Sequence, residues 1–531
     1  MVRVLLTIFF LQAALAQQPT YDVLILGGRI VDGAGSAWFQ ADLGIQGDSI
    51  AAIGSLASSN ARLRLEARGL VVAPGSIDIH SHGRRGLLLV PSAENVIRQG
   101  VTTIIEGNDG GSPVPLGPFL DQLRATPFAV NFASFIGQGS IRQAVLGSEN
   151  RNATGEEILK MKELARQGML DGAFGLSTGL FYVPGNFTPT GEVIELAKTV
   201  AVLGGMHISH MRNEADGILE SVRETIRIGE EGGLPTQLTH HKIVGRPNWG
   251  KSVDTLRLVE EARARGVDVT IDQYPYTASS TGTAALFPQW SQAGGSKALL
   301  ERLAAPDQRE RILASIVTNI RENRGGGDPK NVVLAGCSWD ESLAGKSLAE
   351  VTALRGRPVT LENAAITAVE IQQKGGCSAI YHAIDEKDLE RILRYPFTMI
   401  ASDGGIHVFG KEVPHPRSYG TFARVLGRYV RERGVLTLEE AVRRMSSMPA
   451  TRLGIMDRGL LRPGMKADIA VFDAATVIDR AEFGKPHQYA DGFRHVLVNG
   501  ITVLRDGKMT AWRPGRVLTG RAYRPAGRPP R

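Results

Sequence analysis

The sequence predicts an α/β chain: a (β/α)8 TIM-like barrel, a small β-sandwich domain formed from both chain ends, and an insertion between barrel strands seven and eight. Three observations predict it. Eight short apolar runs alternate with amphipathic segments through the middle of the chain, and such alternation builds a parallel sheet. β-like runs punctuated by glycine bracket that middle on both sides. Histidines and carboxylates recur where the apolar runs end, and a barrel of this kind carries its chemistry at the C-terminal ends of its strands.

The elements follow in order. Met1-Val2-Arg3 is a short basic start, Val4 to Leu15 is almost wholly apolar, and Ala14-Leu15-Ala16 offers a small-x-small step. That is the pattern of a secretory signal peptide over 1–16, and it predicts export, periplasmic or secreted, after cleavage near Ala16. The run is too short to span a bilayer comfortably, so no stable membrane insertion is expected. Residues 17–73 begin a β domain, with strands at Val23–Leu26, Arg29–Asp32 and Asp42–Ile45 and turns at Gly27-Gly28 and Gly47-Asp48. Residues 461–531 complete it through Ala467–Asp473, His495–Gly500 and Ile501–Leu504. The barrel occupies 74–460 and is entered at Pro74-Gly75. Its strands are predicted at Ser76–Ile79, Val101–Ile105, Phe128–Ile136, Ala173–Leu176, Met206–Ser209, Thr236–Thr239, Asp268–Ile271 and Phe397–Ala401. Amphipathic segments at Thr154–Gln167, Thr190–Leu203, Gly217–Glu231 and Ser252–Arg265 supply helices between them. The step from the seventh to the eighth strand is about 120 residues, far beyond an ordinary connection, so a subdomain is predicted over about 283–351.

The composition, 43% hydrophobic and 22% charged, is that of an ordinary globular protein, and 531 residues suffice for one large core and a smaller one. The formal charge of +7 comes largely from the tail, where Arg513 to Arg531 carries six arginines and no acid. No basic-aromatic groove or nucleic-acid module accompanies the tail, so nucleic acid is not an expected partner. The composition sets no oligomeric state. Cys337 and Cys377 form no metal or redox spacing, and two free, buried thiols are the default expectation.

The strand ends carry the chemistry. The first closes in Ile77-Asp78-Ile79-His80-Ser81-His82; residues two apart share a strand face, and imidazole is the commonest protein metal ligand. The second closes in Glu106-Gly107-Asn108, the fifth in His210, the sixth in His240-His241-Lys242 and the eighth in Ser402-Asp403-Gly404. The seventh closes in Asp272-Gln273-Tyr274. His207 lies three before His210 and faces the other way, so His210 is the better ligand; Lys242 shares a face with His240. Singly, each is equally a satisfied strand-end polar group. Together, His80, His82, Glu106, His210, His240 and Asp403 have the composition of a one- or two-metal hydrolytic site. An amide is a poor electrophile, and a metal that polarises its carbonyl needs a carboxylate beside it to move the water's proton. Arg417 and Lys242 supply positive charge for an anionic substrate group, their alternative roles being a surface ion pair and a snorkelled lysine.

At this point the chain resembles the amidohydrolase superfamily and, more narrowly, the N-acyl-D-amino-acid deacylases (D-aminoacylases). The resemblance rests on Pro74-Gly75-Ser76-Ile77-Asp78-Ile79-His80-Ser81-His82, on Gly175-Leu176-Ser177-Thr178-Gly179-Leu180-Phe181-Tyr182-Val183-Pro184-Gly185 and on Ser209-His210-Met211-Arg212-Asn213-Glu214. It continues through Thr239-His240-His241-Lys242, Tyr274-Pro275-Tyr276-Thr277-Ala278-Ser279-Ser280-Thr281, Ser402-Asp403-Gly404, His415-Pro416-Arg417-Ser418-Tyr419-Gly420-Thr421-Phe422 and Leu461-Arg462-Pro463-Gly464-Met465-Lys466-Ala467-Asp468-Ile469. It implies metal-dependent hydrolysis of a linear N-acyl-D-amino acid, or a related D-dipeptide, with zinc as the metal, one ion or two. It implies a tight site at His210, His240 and a second-strand residue, matched here to Glu106, and a weaker site at His80, His82 and Asp403. Asp403 would also be the general base and acid. Lys242, Tyr274, Ser280, Arg417 and Tyr182 would bind the substrate.

Three departures stand out. The second-strand ligand is a cysteine in the best-known members, and Glu106 would substitute a harder oxygen donor. Gly137-Gln138 stands where the family often has Gly-His, and Gly83-Arg84-Arg85 where it often has acids. The two arginines either face solvent or favour an acidic substrate side chain. Two other functions share parts of this pattern. A cyclic amidase of the hydantoinase or dihydroorotase type commonly uses a lysine after the fourth strand, and Ala173-Phe174-Gly175-Leu176-Ser177-Thr178-Gly179 has none. A non-catalytic metal-binding barrel would be expected to have lost ligands.

Overall fold

The apolar run around Val23–Leu26 and the next one at Ile30 fuse into a single strand, β1 (Thr20–Ile30). The computed structural model describes residues 20–525, so the segment read as a signal peptide lies outside the described residues. Gly27-Gly28 is not the turn expected from sequence. It is a bulge within β1, where pairing with β2 (Phe39–Gln46) shifts between Ile25 and Gly28. Gly27, at φ +65°, bends the strand without ending it. Gly47-Asp48 does turn the chain, into β3 (Ser49–Gly54). Before the bulge β1 pairs in parallel with β4 (Asn60–Glu66), and after it with β5 (Val71–Pro74).

The barrel staves are β6 (Ser76–Asp78), β7 (Val101–Glu106), β8 (Asn131–Ser134) continued as β9 (Ile136–Gly137), β10 (Gly175–Gly179), β11 (Met206–His210), β12 (Thr236–Leu238) and β13 (Val269–Gln273). The eighth is β17 (Thr398–Ile400), reached through an inserted sheet of β14 (Ser279–Gly282), β15 (Val332–Gly336) and β16 (Ser378–Tyr381). Each expected stave is present, and each pairs in parallel with the next. The eighth meets the first just above the strands, where the Asp403 amide donates to the His80 carbonyl at 2.8 Å and the His82 amide to the Gly404 carbonyl at 2.7 Å. Buried Asp78 reinforces the seam by accepting from the Ser402 amide at 2.9 Å and from its hydroxyl. The closure therefore holds the ends of staves one and eight, which carry His80, His82 and Asp403, side by side.

The outer helices follow local signals. Thr154 and Glu157 form a reciprocal capping box at the head of the helix Gly155–Asp171. The helices Thr190–Ala201, Ile218–Gly232 and Ser252–Ala264 turn apolar stripes onto the staves. The inserted sheet is antiparallel, in the order β14-β16-β15, and has its own core with the helices Pro306–Glu322 and Leu361–Gln373. It extends past both ends of the span expected from sequence, because β14 and β16 pair across about a hundred intervening residues, a range that local patterning does not reveal. The expectation of two free thiols is also corrected. Cys337 and Cys377 form a disulfide, brought together because β15 and β16 pair side by side.

The chain returns to the first sheet as β18 (Ile469–Phe472), β19 (Phe493–Val498), β20 (Ile501–Arg505) and β21 (Lys508–Met509). β18 pairs antiparallel with β5, joining both chain ends in one nine-stranded β layer. Val23, Ile25, Leu43, Leu65, Ile469 and Leu497 share its core. Among the described residues no helix is long and apolar enough to cross a membrane.

Candidate metal centre

The staves converge on a mouth cavity of about 760 Å3 lined by His82, Asp109, His210, His240, Lys242 and Asp403, among others. Donor atoms of His80, His82, Asp109 and Asp403 all lie within 4.8 Å of one another, and those of Asp109, His210 and His240 form a second such group. Asp109 belongs to both. Its Oδ1 is 3.4 Å from His80 Nε2 and 3.5 Å from His240 Nε2. Its Oδ2 is 3.3 Å from His82 Nε2 and 3.6 Å from His210 Nδ1. These separations exceed ordinary hydrogen bonds, and buried Asp109 Oδ1 has no hydrogen-bond partner. Four imidazoles around one carboxylate, with Asp403 on the open side, suit one or two divalent cations and little else.

This corrects the sequence-based choice of Glu106. The chain turns sharply after β7 at Gly107, whose φ is +75° and where a Cβ would lie 2.3 Å from the Phe135 carbonyl oxygen. The turn ends the strand's alternation and carries Asp109, not Glu106, into the centre. Glu106 stays behind with its carboxyl against Ser81 and the Gly83 amide. Burial raises it to about 7, against the opposing charges of His82 and Arg84, which suits a protonated hydrogen-bonding group better than a ligand.

The other expected ligands are brought together. His80 meets the Thr239 hydroxyl through Nδ1, which turns Nε2 toward Asp109. His240 Nε2 lies 2.7 Å from His210 Nδ1. Three ligand positions hold left-handed backbone without glycine, Asp109 at φ +54°, His240 at φ +35° and Asp403 at φ +50°. The His240 amide is held there by the Asp272 carboxylate at 2.7 Å. Such strain persists where surrounding structure fixes the residue.

Glu214 is a functional residue the sequence reasoning missed. Its Oε1 is 3.2 Å from His240 Nδ1 and its Oε2 3.7 Å from His210 Nε2, so one buried carboxylate backs both imidazoles. Burial opposes its ionisation, but Lys242 and the two histidines hold it well below the usual carboxylate range. The available signal was an acid four residues past a strand-end histidine.

Asp403 Oδ1 is 3.0 Å from His82 Nε2, and its Oδ2 accepts from Arg417 Nη1 at 2.6 Å. Burial pushes its pKa up, but Arg417 and then His80 and His82 outweigh that and hold it far down, so it is a carboxylate at neutral pH. Lys242 lines the cavity but is engaged, donating to Glu214 and, at 2.7 Å, to His240 Nδ1. Ser280 and Tyr182 line it too; the Tyr182 hydroxyl accepts from Thr281 Oγ1 at 3.1 Å. Tyr274 sits behind this lining, buried, with its ring 4.8 Å from the Arg417 guanidinium carbon and 5.7 Å from Lys242 Nζ. Gln138 is buried and donates to Thr188. Arg84 borders the mouth, while Arg85 is exposed.

Comparison with known proteins bears on this arrangement. Residues 387–504 match the model of a family described as the amidohydrolase family. A D-aminoacylase of Alcaligenes xylosoxydans xylosoxydans is 39% identical over 94% of this chain and 98% of its own length. An N-acyl-D-glutamate deacylase of the same organism is 36% identical over 94% of this chain and 97% of its own. A crystal structure of N-acyl-D-glutamate deacylase from Bordetella bronchiseptica, complexed with zinc and a phosphonate inhibitor that mimics the tetrahedral intermediate, superposes with a TM-score of 0.81. It is 33% identical and covers 94% of this chain and all of that one.

Proposed function

This chain belongs to the amidohydrolase superfamily and, within it, to the N-acyl-D-amino-acid deacylases, and from that premise we propose that it hydrolyses the amide bond of N-acyl-D-amino acids to a carboxylate and a free D-amino acid. The observation that carries the reading is the placement of Asp109 among His80, His82, His210 and His240, with Asp403 beside them. His80, His82, Asp109, His210 and His240 would hold a divalent ion, zinc above all, which would supply polarisation of the scissile carbonyl and a more acidic water. Asp403 is the proton carrier. It is ionised, faces His82, and stands where it can take the proton of the attacking water and return it to the departing nitrogen. Glu214 fixes the rings of His210 and His240 from behind.

Arg417 is the anchor for the substrate's α-carboxylate. Its guanidinium rests on Asp403 and, at 3.4 Å, on the Ser280 carbonyl, both at the cavity wall, so an incoming carboxylate can share its donors. Ser280, Tyr182 and Lys242 border the same space, and Tyr274 supports Arg417 through its ring face. A cyclic amidase is disfavoured by β10, which offers no lysine.

Export is part of the proposal. It is supported by the basic-apolar leader over 1–16 and by the Cys337–Cys377 disulfide, since such bonds persist in oxidising compartments. The test of function is a screen of N-acetyl-D-amino acids, N-acetyl-L-amino acids and hydantoin, with metal analysis of the same sample. Turnover confined to the D series with one or two bound divalent ions is expected. Turnover of hydantoin alone, or none with metal bound, contradicts it.

A further inference from the structure

The inserted subdomain sends one side chain into the barrel mouth that the chemistry above does not use. Arg324 follows the helix Pro306–Glu322 and borders both the mouth cavity and a second cavity of about 510 Å3 beneath the insertion. Its side chain is 6% exposed. The guanidinium carbon lies 4.3 Å from the Phe181 ring centroid and 5.8 Å from that of Tyr381. Among the described residues its one acidic neighbour is Glu214, with Nη2 to Oε2 at 3.5 Å, too long for a good hydrogen bond. Glu214 is already committed, because its Oε1 accepts from Lys242. One carboxylate therefore faces two buried cations. Buried charge in proteins is paired or liganded, and leaving it otherwise is costly.

The other arginines of the mouth differ. Arg417 is satisfied by Asp403 at 2.6 Å. Arg84 is half-exposed and donates to the Gly111 carbonyl at 3.3 Å. Arg324 alone of the three combines deep burial with a guanidinium that makes no side-chain hydrogen bond among the described residues. Through Glu214 it adjoins Lys242, and Lys242 and Arg417, the anchor proposed above for the α-carboxylate, both lie against the Tyr274 ring.

We propose that Arg324 receives a second carboxylate, on the amino-acid side chain, and so makes acidic N-acyl-D-amino acids the preferred substrates. This rests on the deacylase reading. A planar guanidinium grips a carboxylate through two parallel hydrogen bonds, and the aromatic faces of Phe181 and Tyr381 hold its plane in place. A substrate with a neutral side chain leaves that charge unmatched, and a site built for a polar group discriminates strongly against its absence.

The experiment compares kcat/KM for N-acetyl-D-glutamate, N-acetyl-D-aspartate, N-acetyl-D-leucine and N-succinyl-D-leucine in the zinc-loaded wild type, Arg324→Met and Arg324→Lys. The wild type should favour an acidic side chain over leucine by about a hundredfold or more. Arg324→Met should erase that ratio, losing about a hundredfold on the acidic substrates and under tenfold on N-acetyl-D-leucine. Arg324→Lys, which keeps the charge, should restore part of it. Equal losses on acidic and neutral substrates, a wild type indifferent to side-chain charge, or a preference that follows the succinyl group would each overturn the assignment. Failure of the wild type to cleave any of the four overturns the deacylase reading itself, and the assignment with it.

Discussion

Glu106→Gln isolates the correction made at the second strand. Glu106 is 3% exposed, and burial raises its carboxyl from an ordinary 4.5 to about 7. In the unfolded chain it ionises freely above pH 4.5; in the folded protein it stays protonated until about pH 7. Each tenfold change in an ionisation constant is worth 1.36 kcal/mol, so the native state gives up roughly 3 kcal/mol as pH rises through that window. The sign follows from the direction: a carboxyl whose pKa is raised by folding supports the fold below its unfolded value and loses that support as pH rises. Glutamine has the shape of the protonated acid and cannot ionise. Equilibrium urea denaturation of metal-free protein should therefore show wild type and variant alike near pH 4.5. The variant should be more stable by about 3 kcal/mol at pH 8, and zinc stoichiometry at neutral pH should be unchanged. A stability difference that does not vary with pH, or a variant that no longer binds zinc, would refute the reasoning and return Glu106 to the metal.

Further outcomes are expected. Asp403→Asn should lower kcat on an N-acetyl-D-amino acid by about a hundredfold to ten-thousandfold while circular dichroism and zinc at the His210–His240 group persist; turnover within tenfold of wild type removes Asp403 from proton transfer. Arg142 and Glu192 form a buried pair with Nη1 2.5 and 2.7 Å from the two carboxylate oxygens, so Glu192→Ala should cost about 3–5 kcal/mol in urea denaturation at pH 7. A cost below 1 kcal/mol would show that the guanidinium is satisfied without it.

The barrel was legible because its staves are buried and short, so each reads as an apolar run between amphipathic segments. The ligands were legible where a strand runs straight into them, as at His80, His82 and His210. Asp109 was not, because the left-handed turn at Gly107 breaks the alternation by which strand-end residues are chosen. Glu214 and Arg324 gain their meaning from neighbours distant in sequence, Glu214 from His240 and Lys242, Arg324 from Phe181 and Glu214. The Gly27 bulge misled in the opposite direction, since a glycine pair ordinarily ends a strand and here only bends it. The disulfide depends on the pairing of β15 with β16, which the spacing of two cysteines does not encode.

The central claim is that Asp109 joins two groups of ligands into one hydrolytic centre. Titration of metal-free protein with zinc, read simultaneously as ions bound and as hydrolysis of N-acetyl-D-amino acids, tests it in the wild type, Asp109→Ala and Glu106→Ala. The account predicts that activity rises with zinc in the wild type, that Asp109→Ala weakens binding by at least tenfold and abolishes turnover, and that Glu106→Ala still binds zinc. Wild-type affinity and activity in Asp109→Ala, with both lost in Glu106→Ala, would contradict it.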